Sequence, residues 1–249
     1  MNLTAEQERR AHATYRRLAV VDFPEDLRLG LNLGFYRTFA VPAIARVLTG
    51  TGKMTGRPKA RAKATGAVMY TLIEHGLDHP TGRETVALLN RLHAHLPVGD
   101  EEFVYVLAAF CVAPLRWIDA RSWRSTTEAE KDAAFDFYAG LAQRMGIKGV
   151  PGSYTALATW MDEFEERRFA NTAEGRALLD ATRGLLADRF PRLPTAPVRA
   201  ASDALLDERM LVAFGVEPPP SAVRGLVGAA LRWRASRLRR RHRHRGPNR

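Results

Sequence analysis

The chain lacks most of the signatures that mark hydrolases, zinc proteins and disulfide-bonded domains. Its 249 residues include one cysteine, Cys111, which excludes an internal disulfide and any zinc site built from four cysteines. It has no His-Glu-x-x-His, no Cys-x-x-Cys and no Gly-x-Ser-x-Gly, and no glycine-rich phosphate loop follows a strand. No uninterrupted apolar run reaches about 18 residues, so no transmembrane helix is expected. The stretch from Met1 to Arg17 is charged and has no apolar signal core. Arg16-Arg17 is followed by too few apolar residues before Asp22 for a twin-arginine export signal. No segment alternates with a two-residue period between turn signals, so no sheet is expected. There is no internal repeat. The expectation is a soluble, cytoplasmic, all-α protein.

Acidic residues are missing from one end. From Arg224 to Arg249 there are ten arginines and no Asp or Glu. The net charge of +11 therefore sits almost wholly there, because the other residues hold 28 basic against 27 acidic side chains. A neutral body argues against a broad nucleic-acid-binding face. The basic end reads in three ways. It is a solvated terminus, a surface that meets anionic lipid, or a site of salt-sensitive, non-specific nucleic-acid contact.

With 46% hydrophobic residues, the chain can bury a full core. The apolar period is helical almost throughout. Thr4 to Gln7 reads as a capping box opening a helix to about Leu18. Helices are expected over Thr38–Leu48, Lys59–His75, Thr81 or Gly82 to the Pro97–Gly99 stop, and Glu101–Arg116. Others run from the Ser125–Thr127 cap to Met145, from Ser153 to Arg168, from Ala173 to Phe190, from Val198 to Phe214, and from Ser221 into the arginine run. Pro191, Pro194 and Pro197 mark a linker. The expected organisation is a helical core over residues 1–192, a helical appendage over 193–236 and an arginine-rich tail over 237–249.

Two short constellations stand out. Arg61-x-x-x-Thr65 puts a cation and a hydroxyl one helical turn apart, on the face shared by Met69 and Leu72. On spacing alone these are a surface arginine and a threonine bonding back to the preceding turn. The functional reading is a donor pair at a cofactor propionate or at bound dioxygen. His93 lies beside an apolar stripe of Leu88, Leu89, Leu92 and Leu96. It reads either as a hydrogen-bonded core histidine or as an axial haem ligand. His95 projects to the other side of a regular helix. Glu163, Glu165 and Glu166 read as a solvated helix face.

From Phe35 to about Glu166 the sequence resembles the catalytic domain shared by bacterial rubber oxygenases (latex-clearing proteins) and the MpaB-type oxygenase of mycophenolic acid biosynthesis. The matching pieces begin with Phe35-Tyr36-Arg37-Thr38-Phe39-Ala40-Val41-Pro42-x-Ile44-Ala45, Leu48 and Thr51-Gly52. Then come Arg61-x-x-x-Thr65, Leu92-His93 and Asp100-x-x-Phe103-Val104-Tyr105. Pro114-Leu115-Arg116-Trp117, Trp123-Arg124, Gly146-Ile147 and Val150-Pro151-x-Ser153-Tyr154 complete the series. The MpaB-type branch is the nearer of the two.

The resemblance implies a multi-helix bundle around a haem b pocket. His93 would be the proximal iron ligand, and Arg61 and Thr65 would line the distal side. The implied chemistry is oxidation or cleavage of a carbon–carbon double bond by dioxygen, in a hydrophobic, isoprenoid-like substrate. In rubber oxygenases a lysine directly precedes the threonine. Here that position is Ala64, with Lys63 nearby, so lysine ligation of iron is not expected. The competing class is a non-catalytic haem- or lipid-binding helical protein. Peripheral contact with an anionic membrane is expected through Arg237–Arg245, and no specific nucleic acid.

Overall fold

A computed structural model describes residues 4–52, 56–187 and 194–244. Twelve α-helices and one π-helical segment account for the regular structure among the described residues, with no strand. In order they are α1 (Ala5–Arg17), the π segment (Leu18–Asp22), α2 (Pro24–Thr38), α3 (Pro42–Gly50), α4 (Pro58–His75) and α5 (Pro80–His93). Next are α6 (Asp100–Arg121), α7 (Glu128–Met145), α8 (Tyr154–Arg168), α9 (Ala173–Ala187), α10 (Thr195–Asp203), α11 (Glu208–Ala213) and α12 (Ser221–His244).

Local chemistry sets most of these boundaries. Four successive helices, α2 to α5, open with proline in the first turn, where its missing N–H costs no hydrogen bond. α1 and α7 open on reciprocal capping boxes, Thr4 with Gln7 and Thr127 with Glu130, which satisfy orphan backbone donors. Ser153 Oγ accepts from the Ala156 N–H at 3.1 Å and starts α8. Gly76 ends α4 at φ 83°, a conformation that a Cβ disfavours.

Several boundaries differ from the sequence reading. α6 continues past Arg116 to Arg121, and Pro197, read as part of a linker, lies inside α10. Phe190 and Pro191 lie outside the described residues. Thr38 ends α2 instead of opening the next helix, because Pro42 occupies the first turn of α3. α5 stops at His93, four residues before Pro97, and the Leu96 N–H bonds to the His93 carbonyl at 3.2 Å in a turn. The span from Val198 to Phe214 is two helices. The break lies at Ala204–Asp207, where Asp207 caps α11 through the Met210 N–H at 2.9 Å.

The centre of the molecule is α6. It packs against α2, α7, α8 and α12, while α1 lies along α7 and α4 contacts α1, α5 and α9. Its buried residues run from Val104 to Ile118. By length and composition α6 could cross a membrane, yet 67% of that stretch is buried inside the fold, the position of a core helix. A second apolar cluster joins Phe39, Ala40 and Ala45 to Leu178, Leu179, Leu206 and Phe214. It therefore draws on residues from both sides of the proline linker.

α2 reaches α6 through two glycines spaced four apart. A Cβ at Gly30 would sit 2.9 Å from Pro114 Cβ, and one at Gly34 would sit 3.1 Å from the Ala109 carbonyl carbon. Both separations are shorter than ordinary Cβ contacts. The glycines let the two backbones approach more closely than any side chain allows. Gly30 also meets α6 at Pro114, where the helix already lacks one internal hydrogen bond.

Gly30→Ala and Gly34→Ala should each destabilise the fold by about 1–3 kcal/mol, the usual cost of overpacking. Gly225→Ala, where no atom lies within 4 Å, should be neutral or slightly stabilising. Denaturant unfolding of the three variants checks this, and equal midpoints for all three would refute the close approach.

Candidate functional site

α4 and α5 contact each other and are joined by the four residues Gly76–His79. A Cβ at Gly82 would collide with the Gly76 carbonyl, so the first turn of α5 closes directly on that loop. Arg61 lies 14 residues before the end of α4, and His93 lies 13 residues after the start of α5. At 1.5 Å per residue both stand roughly 20 Å from the loop. The fold thus sets the two sequence constellations at the ends of their helices remote from the connection.

His93 is half-buried and its ring is fixed from two sides. Nδ1 lies 2.7 Å from the Leu89 carbonyl oxygen. A carbonyl can only accept, so Nδ1 carries a proton, and in the neutral imidazole the lone pair lies on Nε2. Phe103, in the first turn of α6, meets the imidazole edge-on at 5.8 Å between centroids. No hydrogen bond engages Nε2 among the described residues. A backbone bond to one ring nitrogen, with the other left basic, is the usual state of a metal-binding histidine. His95 lies beyond the end of α5, exposed in the following turn.

Arg61 is half-buried, and its guanidinium has no carboxylate partner among the described residues. Thr65 Oγ donates to the Arg61 carbonyl at 3.1 Å, the back-bond that its helical position favours. Its lone pairs remain available. Met69 and Leu72 on the same face are buried, whereas Lys63 and Ala64 are exposed. No hydrogen bond, ion pair or ring contact joins Arg61 or Thr65 to His93 among the described residues. On the other helix Leu88 and Leu92 are 39% and 57% exposed. α5 therefore carries an uncovered apolar strip beside His93.

Glu165 overturns its reading as part of a solvated face. Its side chain is 0% exposed. The buried residues Leu157, Met161 and Phe164 of the same helix were the available signal, since a residue four after Met161 falls on their face. Arg37 holds both carboxylate oxygens of Glu165, and Tyr105 donates to Oε1 at 3.0 Å. Arg37 also pairs with Asp207. Burial opposes the Arg37 charge, but Glu165 and Asp207 more than offset it and hold its pKa above the ordinary arginine value. Burial, then Glu165, push the Tyr105 hydroxyl well above the usual phenol range. This network joins α2, α6, α8 and the cap of α11.

Neither of two clefts in the surface is lined by Arg61, Thr65 or His93. One, of about 920 Å³, includes Arg37, Arg116, Asp162, Glu165 and Arg209. Its charges are largely paired with one another, as in Arg116–Asp162 at 2.7 Å and Arg209–Glu166 at 2.8 Å, which makes it a structural junction. The other, of about 270 Å³, lies at the loop end of α4 and α5 beside His12, His75 and His79. No cluster of three His, Cys, Asp or Glu side chains suited to a metal ion occurs among the described residues.

These features define an all-helical domain with a half-buried imidazole beside exposed leucines on one helix and, on the helix that contacts it, a half-buried guanidinium without a carboxylate among the described residues. Residues 27–244 match the family described as ER-bound oxygenase mpaB/B'/rubber oxygenase, catalytic domain, and the chain belongs to that family. It is 25% identical to the ER-bound oxygenase mpaB of Penicillium brevicompactum over 227 residues, which cover 83% of this chain and 57% of that protein. To the mpaB' protein of the same organism it is 22% identical, over 90% of this chain and 57% of that protein. To mpaB of Penicillium roqueforti (strain FM164) it is 23% identical, over 77% of this chain and 70% of that protein. The chain thus spans little more than half the length of the first two relatives.

The two arginines should separate by stability. Arg37→Ala strands a buried carboxylate and should cost about 3–5 kcal/mol, whereas Arg61→Ala removes no ion pair and should stay within about 0.5 kcal/mol of the parent. Denaturation midpoints measure both, and an equal loss in the two variants would mean that Arg61 is structural.

Proposed function

We propose that this chain is a haem b-dependent oxygenase that cleaves or oxidises a carbon–carbon double bond of a hydrophobic, isoprenoid-like substrate with dioxygen. The observation that carries the reading is His93, whose Nδ1–H is committed to Leu89 and whose Nε2 has no hydrogen-bond partner among the described residues. The donor set fits the group, because a porphyrin brings four nitrogen ligands of its own and asks the protein for one imidazole. A site assembled from several protein ligands is not required. Family membership supports the oxygenase class.

Within this reading His93 holds the cofactor and Phe103 fixes the imidazole plane. When bound, the haem supplies the redox chemistry with dioxygen. Arg61, with no carboxylate partner among the described residues, would supply a permanent positive charge to negative charge that develops in the reaction. The Thr65 hydroxyl is a second donor one turn away, once it turns from its back-bond to Arg61. The strip of Leu88 and Leu92 offers apolar surface to a porphyrin edge or an alkene chain, and keeping water from such a site strengthens the Arg61 field. Lys63, exposed on α4, takes no part. The relatives are named ER-bound. Contact of this chain with a membrane rests instead on its own basic helix.

Protein supplied with haem should show a bound-porphyrin absorption band. His93→Ala should lose stoichiometric haem, and His95→Ala should keep it. Arg61→Ala and Thr65→Ala should retain haem while turnover of isoprenoid alkenes falls on the order of 10²-fold each. Loss of haem in His95→Ala but not in His93→Ala would show that the ligand is misassigned. A spectrum with two protein ligands on iron would favour the non-catalytic haem-binding alternative.

A further inference from the structure

The arginine-rich end is not a free tail up to His244. Three contacts tie α12 to the body. Arg234 donates to Asp26 Oδ1 at 2.6 Å, and Asp26 is a buried carboxylate that also accepts from Ser122 Oγ at 2.7 Å and Trp117 Nε1 at 3.3 Å. Arg239 Nε donates to the Trp123 carbonyl at 3.0 Å. The His242 ring lies flat on Trp123, with centroids 4.1 Å apart and planes 6° apart. Arg234, Leu238 and His242, four residues apart, therefore mark the inward face. Docking fixes which side of the helix meets solvent.

The outward side carries large, mostly exposed apolar groups. Leu226 is 73% exposed and Trp233 is 62% exposed. Seven residues separate them, so they share one stripe. Arg237, with its guanidinium 4.6 Å from the Trp233 ring centre, and Arg240 continue that stripe, and Arg224, Arg232 and Arg241 are exposed alongside. No acidic residue occurs from Ser221 onward, while the rest of the chain is close to neutral.

We propose that this outward face of α12 is a docking surface for an anionic lipid bilayer, with Leu226 and Trp233 entering the interface and the arginines binding lipid headgroups. Charge complementarity argues for the anionic partner. The two large apolar side chains argue for a bilayer over a purely polar polyanion, because a helix that binds an interface pairs an apolar stripe with flanking basic residues. Tryptophan is the residue best suited to headgroup depth. The inference is independent of the catalytic reading, since its test uses neither haem nor substrate.

The test is cosedimentation of the full chain with phosphatidylcholine–phosphatidylserine vesicles and with phosphatidylcholine vesicles alone. Two variants are compared, Leu226→Glu with Trp233→Glu, and Arg237→Ala with Arg240→Ala and Arg241→Ala. Circular dichroism establishes that both remain helical. The full chain should prefer the anionic vesicles by at least about tenfold. Each variant should lose about tenfold or more of that binding, and added salt should weaken it further. Equal binding of the parent to both vesicle types would overturn the proposal, as would unchanged binding by the Leu226/Trp233 variant. Tighter binding of the parent to a single-stranded RNA homopolymer than to the anionic vesicles would reassign the face to nucleic acid.

Discussion

The rest of the structure depends on how closely α2 approaches α6. Gly30 and Gly34 remove the side chains that would hold the two helices apart, and the backbone of α6 fills that space at Ala109 and Pro114. With that distance fixed, the register of α6 is fixed, and α6 is the helix that reaches both polar centres of the fold. Its first turn sets Phe103 against His93. Two residues on, Tyr105 is set on Glu165. Its far end brings Trp117 to Asp26, the carboxylate that also receives Arg234 of α12. A shift of α6 along its axis would disturb the candidate site, the buried ion network and the docking of the basic helix together.

Two of the buried carboxylates, Glu165 and Asp26, have different surroundings. Glu165 is closed in by Arg37 and Tyr105 and backed by Arg209 at 3.6 Å. A buried ion pair of this kind adds little net stability beyond what an apolar replacement would give, but removing one partner alone is costly. Its contribution is to specify how α2, α6 and α8 meet. Asp26 accepts from two core donors and from an arginine on the surface helix, so it couples the core to the orientation of α12. Arg61 contrasts with both, since it is half-buried and its charge is unmatched among the described residues. Arg37, which is likewise partly buried, is closed in by carboxylates, whereas Arg61 belongs to the constellation assigned to chemistry.

Much of the fold was legible because helix signals are local. The three-to-four-residue apolar period, the Thr4 box, the cap within Ser125–Thr127 and the Ser153 cap all act within about one turn. What was not legible depends on distant partners. Glu165 looks like one of three solvated glutamates until Arg37 closes on it from 128 residues away. The arginine run looks like a loose terminus until Asp26, 208 residues from Arg234, receives it. The break before Asp207 was hidden because the apolar pattern continues across it, and only the cap on Met210 reveals it. Arg61, Thr65 and His93 were identified through family likeness. Spacing alone reads them as ordinary helix residues, and the Thr65 back-bond shows how readily that reading is satisfied.

The central claim is that His93 Nε2 is the protein's ligand to a haem iron. It is tested most directly by His93→Gly, which deletes the imidazole and leaves space where it stood. The account predicts that the haem-supplied variant loses the electron paramagnetic resonance signature of an imidazole-ligated iron, and that added free imidazole restores it while the Phe103 and Leu89 contacts still shape the vacated space. A signature unchanged by the substitution, or one that free imidazole does not restore in a folded variant, would contradict it.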